Sequence, residues 1–453
     1  MRTSSSRHGR GRRTVINAVA AVAVVATGTA LLTGCGGDSD KGKSDGAAGG
    51  EQITLRIGTF GSFGYDDATG AKLYAEYTKA HPNIKIEESN VADGQKYWDT
   101  LKLRLSRDSG LADIQALEVG YIAEATGPAM ADKWTDLGKT GGADVGAFLD
   151  WKVKQATTGD GKVIGLGTDI GPMAICYNKD LFAKAGLPTD RAEVAGLWAG
   201  DWAKFIQTGE AYKKSAPEGT SFHDSASGLF NAVISSEPVQ YANAKGELDY
   251  ENSPGVKKAW DTAVAAAKGE MTAKLRQFDE KGTWNAAFKN SKFATVACPS
   301  WMTGIIKDQA GPENRGKWDI AAPPVAGNWG GSFLAVPKSG KHTKEAAELA
   351  AWLTAPAQHA KVFGVNGNIP SSKDTLSSPA VQGAKLPYFG DTPVGKIYSE
   401  AAAGITPAPI SRWDGQVKTF LTDNGILDIE QRGTDPAKAW ENVKKLVADK
   451  IDK

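Results

Sequence analysis

The sequence predicts an α/β protein built from two lobes, and three observations lead to that prediction. Residues 53–118 alternate short apolar runs with helical stripes, which is the pattern of a parallel sheet covered by helices. Residues 163–180, VIGLGTDIGPMAICYNKD, hold two apolar runs around a Gly-Pro bend, with separate α/β patterns before and after them. The chain of 453 residues is also longer than one domain core requires. We therefore expect it to cross between lobes near this bend.

Residues 1–34 have the pattern of an export signal. Five arginines and no acidic residue precede an apolar run from Val15 to Leu32, which ends in Leu32-Thr33-Gly34-Cys35. This ending resembles a bacterial lipobox, so we expect Cys35 to be lipidated and to become the first residue of the mature chain. A single membrane-spanning anchor is the alternative, although Ala, Thr and Gly dilute the run.

The composition beyond the signal excludes several classes of partner. Residues 35–50 are rich in Gly, Ser, Asp and Lys without an apolar period, which predicts a flexible tether. The 419 residues after residue 34 carry 48 basic and 52 acidic side chains and no basic run, which argues against nucleic acid as a partner. Their four histidines are widely separated, so we expect no metal site, and no motif predicts a cofactor.

The first lobe places polar and aromatic residues after its strands. Ile53–Gly58 reads as the first strand, and a later strand over residues 113–118 ends on Glu118. The glycine-rich loop after the first strand carries Phe60, Ser62, Phe63 and Tyr65. Ligands of parallel α/β sheets bind beyond the carboxyl ends of the strands. We therefore expect this loop and Glu118 to face a ligand.

Beyond the first crossing, the sequence predicts a mainly helical lobe and two further crossings, near residues 328–337 and 362–371. Ser253-Pro254 and Asp435-Pro436 have the pattern of an N-cap followed by a proline at the first helical position. A cleft between two lobes is a common place for a small-molecule site, and Asp169 in the bend would face it. The alternative is that Asp169 is a solvated residue beside an interior strand pair.

The tryptophans fall into two groups. Trp98, Trp260, Trp352 and Trp440 lie on helical stripes, so core packing explains them. Trp301, Trp329 and Trp413 lie in loops or at strand ends instead. A flat indole matches the C–H face of a sugar ring, and polar side chains match its hydroxyls. The polar residues near these tryptophans or crossings are Glu118, Asp169, Asn366, Asn368 and Arg412. The pattern favours carbohydrate recognition, with structural tryptophans as the alternative.

Two cysteines remain if Cys35 is lipidated. Cys176 and Cys298 are an even pair in a chain with an export signal, which favours a disulfide. Two buried free cysteines are the alternative.

These features together resemble the extracellular solute-binding lipoproteins of bacterial ABC importers, in the sugar-binding branch that includes maltose-binding protein. The resemblance covers residues 53–453. Its marks are Leu32–Cys35, Leu111–Ile114, the run Ala174–Leu181 (AICYNKDL), Pro299–Trp301 and Gly330–Ser332. Within the family the chain looks closest to actinobacterial binders of cellobiose and cello-oligosaccharides. The cysteine pair departs from the maltose-binding pattern.

The resemblance implies a periplasmic-binding-protein-like fold with a three-segment hinge. The N-terminal lobe would comprise residues 51–168 and 333–368, and the C-terminal lobe residues 169–332 and 369–453. Trp301 would stack on the sugar, with Trp413 as a second platform. Hydroxyls would be bound by Glu118, Asp169, the loop after the first strand and the backbone around Gly331 and Ser332.

The function implied is that of a binding protein and not of an enzyme. A monomer, held outside the cytoplasm by its lipid on the cell membrane, would capture a β-linked disaccharide or trisaccharide and deliver it to the membrane permease. Xylobiose, chitobiose or an α-glucoside are alternative ligands. A lipid-anchored glycoside hydrolase is the alternative of another class, and it would need two carboxylates placed across the sugar.

Overall fold

The structure, a computed structural model, describes residues 51–451. The predicted export signal, the lipidated Cys35 and the tether over residues 35–50 lie outside the described residues. No helix within residues 51–451 combines the length and apolar character needed to cross a membrane.

Eleven strands within residues 51–451 form three sheets. They are β1 Ile53–Phe60, β2 Ile84–Val91, β3 Ile114–Glu118, β4 Leu166–Gly167, β5 Asp169–Ile170, β6 Ile175–Asn178, β7 Ser221–His223, β8 Phe293–Ala297, β9 Trp318–Ala321, β10 Ser332–Ala335 and β11 Ile369–Pro370.

Nineteen α-helices lie in the same residues, together with a π-helical segment at Phe420–Ile426. They are α1 Leu73–Ala80, α2 Gly94–Arg107, α3 Val119–Ala125, α4 Asp150–Gln155, α5 Lys179–Lys184, α6 Arg191–Gly196, α7 Trp202–Ser215, α8 Ala226–Ser235, α9 Pro254–Lys268, α10 Thr283–Lys289, α11 Met302–Ala310, α12 Thr343–Leu353, α13 Pro356–Asn366, α14 Lys373–Ser377, α15 Pro379–Gln382, α16 Val394–Ala403, α17 Asp414–Thr419, α18 Leu427–Arg432 and α19 Pro436–Lys450.

The first sheet has the strand order β2-β1-β3-β10-β4. Strand β1 pairs in parallel with β2 and β3, and helices α1 and α2 connect them, as the alternating pattern predicts. Strand β1 is longer than predicted, because Phe60 still pairs with Val91 of β2. Phe60 is therefore the last residue of a strand rather than part of the loop.

The second sheet has the order β7-β8-β6-β9, in which β6 is antiparallel to both of its neighbours. Cys176 lies in β6 and Cys298 directly follows β8. The structure joins these two buried cysteines in a disulfide with a Cα–Cα distance of 5.4 Å. The bond links the two central strands of this sheet.

Three passages of the chain connect the two halves, and they lie side by side. Strand β5 of the first passage pairs with β11 of the third, where Asp169 faces Pro370. The backbone N–H of Ser332 in the second passage donates to Asp169 Oδ1 at 2.9 Å. The mixed α/β fold with two lobes is confirmed. We propose lobe boundaries at residues 168/169, 332/333 and 368/369, within these passages.

Local sequence signals explain where several helices begin. The Ser253 hydroxyl accepts from Val256 N at 3.2 Å, with Pro254 in the first helical position of α9. Asp435 Oδ1 likewise accepts from the N–H groups of Ala437 and Lys438 at the start of α19. Both predicted N-caps are confirmed, and each satisfies a donor that a helix end leaves unpaired.

The helical tryptophans pack as predicted. Trp98 and Trp260 are buried, and Trp352 and Trp440 pack against the cores of their lobes while partly exposed. These four side chains therefore contribute apolar surface to the cores of the two lobes.

Candidate functional site

A chamber of about 90 Å³ lies between the lobes and is lined by both of them. The first lobe contributes the end of β3 and the start of α3. The second lobe contributes α8, the segment after it and the start of α17, and the second passage closes one wall. The polar and aromatic lining residues are Glu118, Trp151, Gln155, Asn231, Gln240, Tyr241, Trp329, Asp414 and Lys418.

Glu118 is placed at the chamber by the end of its strand. Its Oε2 accepts from Gly120 N at 2.7 Å and so caps helix α3. This bond occupies one carboxylate oxygen. Glu118 therefore lines the chamber, and its contact with a ligand stays a prediction.

Four buried polar atoms around the chamber have no hydrogen-bond partner among residues 51–451. They are Gln155 Oε1, Asn231 Oδ1, Tyr241 OH and Asp414 Oδ1, and all four residues line the chamber. A buried polar group without a partner costs about 1–3 kcal/mol. Because four residues with such groups line one space, we infer that this space can bind a molecule rich in hydrogen-bonding groups.

Burial also changes the pKa values of two side chains that line the chamber. It raises the pKa of Asp414 to about 7, against the lowering effects of the Ser411 backbone bond and of Lys418. Burial likewise raises the pKa of Tyr241, and the nearby charges of Asp414 and Glu118 raise it further. Near neutral pH, Asp414 can therefore both donate and accept hydrogen bonds.

Trp329 forms an aromatic wall of the chamber, with 9 % of its surface exposed. Its backbone N–H donates to Gly171 O at 2.8 Å. Its carbonyl accepts from Trp301 Nε1 at 3.0 Å, and the two indoles meet edge to face at 5.8 Å. Trp301 therefore lies behind Trp329 and does not line the chamber, so its direct stacking on a ligand stays a prediction.

Asp169 lies in the passages between the lobes and not on the chamber wall. It is buried, and its Oδ1 accepts from Thr168 Oγ1 at 2.6 Å and from Ser332 N at 2.9 Å. Burial raises its pKa, while Lys152 lowers it. These bonds give Asp169 a structural role in holding the first and second passages together. Ser332 has the same role.

Lys152 in α4 is a fully buried cation that no sequence motif marks. Its ammonium lies 3.8 Å from the centre of the Phe333 ring and has no hydrogen-bond partner among residues 51–451. Burial lowers the pKa of Lys152 to about 8, while Asp169 and Glu118 raise it. A Cβ on Gly331 would lie 2.9 Å from this ammonium. The lack of a side chain at Gly331 therefore allows the passages to pack closely.

The loop after β1 forms a separate cluster. Phe60 and Phe63 meet edge to face at 5.4 Å, and Tyr65 lies behind Phe63. Asn366 Nδ2 donates to Ser62 Oγ at 3.1 Å. None of these residues lines the chamber, and neither does the half-buried Asn368. Their contact with a ligand stays a prediction.

Arg412 and Trp413 lie on a second space, a groove of about 1220 Å³ that adjoins the chamber. The Arg412 guanidinium lies 4.5 Å from the centre of the Trp413 ring. The chamber and the groove share part of their lining, which consists of Trp151, Gln155, Pro407, Ala408 and Ile410.

The family of the chain follows from a direct match of its sequence. Residues 72–389, more than half of the chain, match the bacterial extracellular solute-binding protein family. The chain belongs to this family. Its members are binding proteins and not enzymes.

Similar proteins agree with this assignment. A solved extracellular solute-binding protein of family 1 is 40% identical, with a TM-score of 0.73 over 88% of this chain and 99% of that one. The arabinooligosaccharide-binding protein of Bacillus subtilis (strain 168) is 25% identical over 77% of this chain and 79% of that protein. The ABC transporter associated binding protein of B. animalis subsp. lactis Bl-04, solved with beta-1,6-galactobiose, shares the fold at 20% identity, with a TM-score of 0.72 over 88% of this chain and 97% of that one.

Sequence reasoning misses several chamber residues of this solute-binding protein. Asn231 lies in the mainly apolar helix α8, where nothing local separates it from a core position. Tyr241 follows a turn without a motif, and Asp414 is adjacent to the predicted Trp413. The available signal is the loop over residues 406–410, which holds two prolines close to Trp413, because binding residues lie disproportionately on loops.

Within residues 51–451, no group of three or more His, Cys, Asp or Glu side chains could hold an ion.

Proposed function

We propose that this chain is the substrate-binding component of an ABC importer and captures an oligosaccharide in the cleft between its lobes, of which the chamber is a part. The favoured ligand is a β-linked disaccharide or trisaccharide such as cellobiose or cellotriose, which the protein would deliver to the membrane permease. The observation that carries the proposal is that four residues with an unpartnered buried polar atom, Gln155, Asn231, Tyr241 and Asp414, all line one chamber.

The chemistry of the chamber favours a sugar over other small solutes. Each sugar hydroxyl can donate one hydrogen bond and accept others, which suits a mixture of amide, phenol and carboxyl groups. The indole of Trp329 adds a flat apolar surface for the C–H face of a ring. The arabinooligosaccharide-binding relative supports oligosaccharide as the ligand class.

The lobes meet closely beside the chamber, which supports capture by closure. A Cβ on Gly120 would lie 3.6 Å from Gly415 Cα, and Lys96 Nζ lies 3.3 Å from Glu280 Oε1 across the cleft. Lobes that close on a ligand exclude water from it, which strengthens the hydrogen bonds that hold it.

The location follows from the same proposal. Lipid on Cys35 would hold the binding protein on the outer side of the cell membrane, close to its permease, as a monomer. A single lipidated cysteine with a flexible tether leaves the lobes free to close.

The hydrolase alternative needs two carboxylates placed across the sugar. Asp169 is bound by Thr168 and Ser332 and does not line the chamber, so it cannot act across a sugar from Glu118. Xylobiose, chitobiose, α-glucosides and arabino-oligosaccharides remain candidate ligands.

A thermal-shift screen of residues 51–453 tests the proposal. The panel contains cellobiose, cellotriose, xylobiose, chitobiose, maltose, arabinotriose and a few peptides. A ligand that binds only the folded state raises Tm, since a concentration of about 100 times Kd adds about 2.7 kcal/mol to stability. We expect a shift with one class of oligosaccharide.

Two variants locate the binding. Asn231→Ala should remove most of the shift, because it deletes one of the unpartnered groups. Asn83→Ala, at an exposed turn, should keep the shift. The absence of any shift across the panel, with sugar products detected by chromatography, would instead support the hydrolase.

A further inference from the structure

The groove beside the chamber is large, open and continuous with it. Its volume is about 1220 Å³, against about 90 Å³ for the chamber. The first lobe contributes α3, the turn after it and α4. The second lobe contributes residues 244–252, residues 407–413 and the end of α19.

The chamber alone is too small for a disaccharide. One water molecule needs about 10–15 Å³ of such space, so the chamber is roughly the size of six to nine waters. That is closer to one sugar ring than to two. A second ring must therefore extend to the junction with the groove, which Trp151 and Gln155 line, and any further ring would lie in the groove itself.

The junction between the two spaces combines apolar and aromatic surface with one polar side chain. Trp151 and Gln155, both on α4, line the chamber and the groove, and Gln155 Oε1 is buried without a partner among residues 51–451. An aromatic surface beside an unpartnered amide oxygen suits the link between two sugar rings, with one face apolar and hydroxyls at the rim.

The walls of the groove suit a neutral polar ligand. Its charged lining residues are four cations and three acids, Lys154, Lys245, Glu247, Asp249, Glu251, Arg412 and Lys444. Because the charges nearly balance, the groove has no strong preference for an anion or a cation. Trp413 and Tyr250 add aromatic surface.

We propose that the groove binds the further sugar units of an oligosaccharide whose end unit occupies the chamber. The protein then prefers chains of three or more units over a disaccharide of the same linkage. This inference rests on the proposed oligosaccharide function and adds a second binding region and a length preference to it.

Calorimetric titration of the full mature protein with cellobiose and cellotetraose tests the inference, and arabinobiose and arabinotetraose provide a second series. We expect the tetrasaccharide of the series that binds to have a Kd at least about tenfold below that of its disaccharide, a difference of about 1.4 kcal/mol.

A variant that fills the groove should remove this difference. Ala123 lines only the groove, so Ala123→Trp should bring the Kd of the tetrasaccharide close to that of the disaccharide and leave the disaccharide within about twofold of wild type. Ala75→Trp, an equal change at an exposed position of α1, should leave both unchanged. Trp413→Ala should also weaken the binding of the longer chain more than that of the disaccharide.

The outcomes separate this inference from the proposed function. Equal affinity of wild type for both lengths would overturn the groove inference and leave oligosaccharide capture standing. An equal loss for both lengths in Trp413→Ala, with wild-type stability, would also overturn it. Binding of neither series, together with no shift for any oligosaccharide in the thermal screen, would overturn both.

Discussion

At the scale of single residues, the chamber derives its chemistry from burial. Asp414 carries an unpartnered oxygen, and burial raises its pKa to about 7. An unfolded aspartate has a pKa of about 3.9. The folded state thus holds the proton more tightly, and the free energy of unfolding falls as the pH rises between these values.

Asp414→Asn should make the free energy of unfolding depend less on pH in this range. We expect the variant to be more stable than wild type at pH 8 by on the order of 2 kcal/mol, and to lose the advantage near pH 4. Urea denaturation at pH 4.5, 6 and 8 measures the difference. Asp449→Asn, at an exposed position, should follow wild type. A constant difference in stability between Asp414→Asn and wild type at all three pH values would contradict the raised pKa of Asp414.

The sequence predicts the kinds of residue in the site better than their identities. Glu118 and Trp329 line the chamber and are predicted from the sequence, because strand ends and crossings can be recognised from local patterns. Asn231, Tyr241 and Asp414 could not be predicted, because they lie far apart in the chain and only tertiary packing brings them to one space. Trp301 occupies the expected strand end, but its indole N–H bonds the backbone of Trp329.

At the scale of elements, the three passages are locked by close packing around Gly331. Its φ is +98°, and a Cβ there would lie 2.8 Å from Asp169 O and 2.9 Å from Lys152 Nζ. Only glycine accepts both that backbone conformation and that proximity without strain. Gly331 is therefore required for the backbone conformation of the second passage.

Gly331→Ala should lower stability by about 2–4 kcal/mol, as the sum of a left-handed backbone cost and a steric clash. Gly142→Ala isolates the first term, because Gly142 has φ +72° with no atom within 4 Å of a Cβ. It should cost about 1–2 kcal/mol. Urea midpoints measure both variants, and equal losses would mean that packing around Gly331 contributes nothing.

The elements that the sequence predicts well are those fixed by short-range pattern. The parallel strands of the first sheet, the capped helices α9 and α19 and the Cys176–Cys298 pair all follow from local periodicity, cap residues or cysteine count. The end of β1 was predicted two residues early, because pairing with β2 continues through Phe60 despite the glycine at position 58.

At the scale of the whole molecule, function depends on how closely the lobes approach. The contact of α3 with α17 brings Gly120 to Gly415, and a Cβ on Gly415 would lie 2.5 Å from Tyr121 Cε1 of the other lobe. The two glycines therefore permit the approach that completes the chamber. Sequence patterns cannot reveal such a contact, since neither glycine lies in a motif.

Gly415→Val should hold the lobes apart and weaken oligosaccharide binding at least about tenfold, which corresponds to 1.4 kcal/mol. Small-angle X-ray scattering should show ligand-induced compaction in wild type and a reduced change in the variant. Gly364→Val, at a helical position with no atom within 4 Å of a Cβ, is the control and should behave as wild type. Normal compaction and affinity in Gly415→Val would exclude this contact as the limit to closure.

The crystal structure of the mature protein with the oligosaccharide selected by the thermal screen tests the central claim most directly. We expect one sugar ring in the chamber against Trp329, with its hydroxyls bonded to Asn231, Tyr241 and Asp414. A sugar bound instead against Trp301 and the loop after β1, with those three groups still unpartnered, would contradict the account.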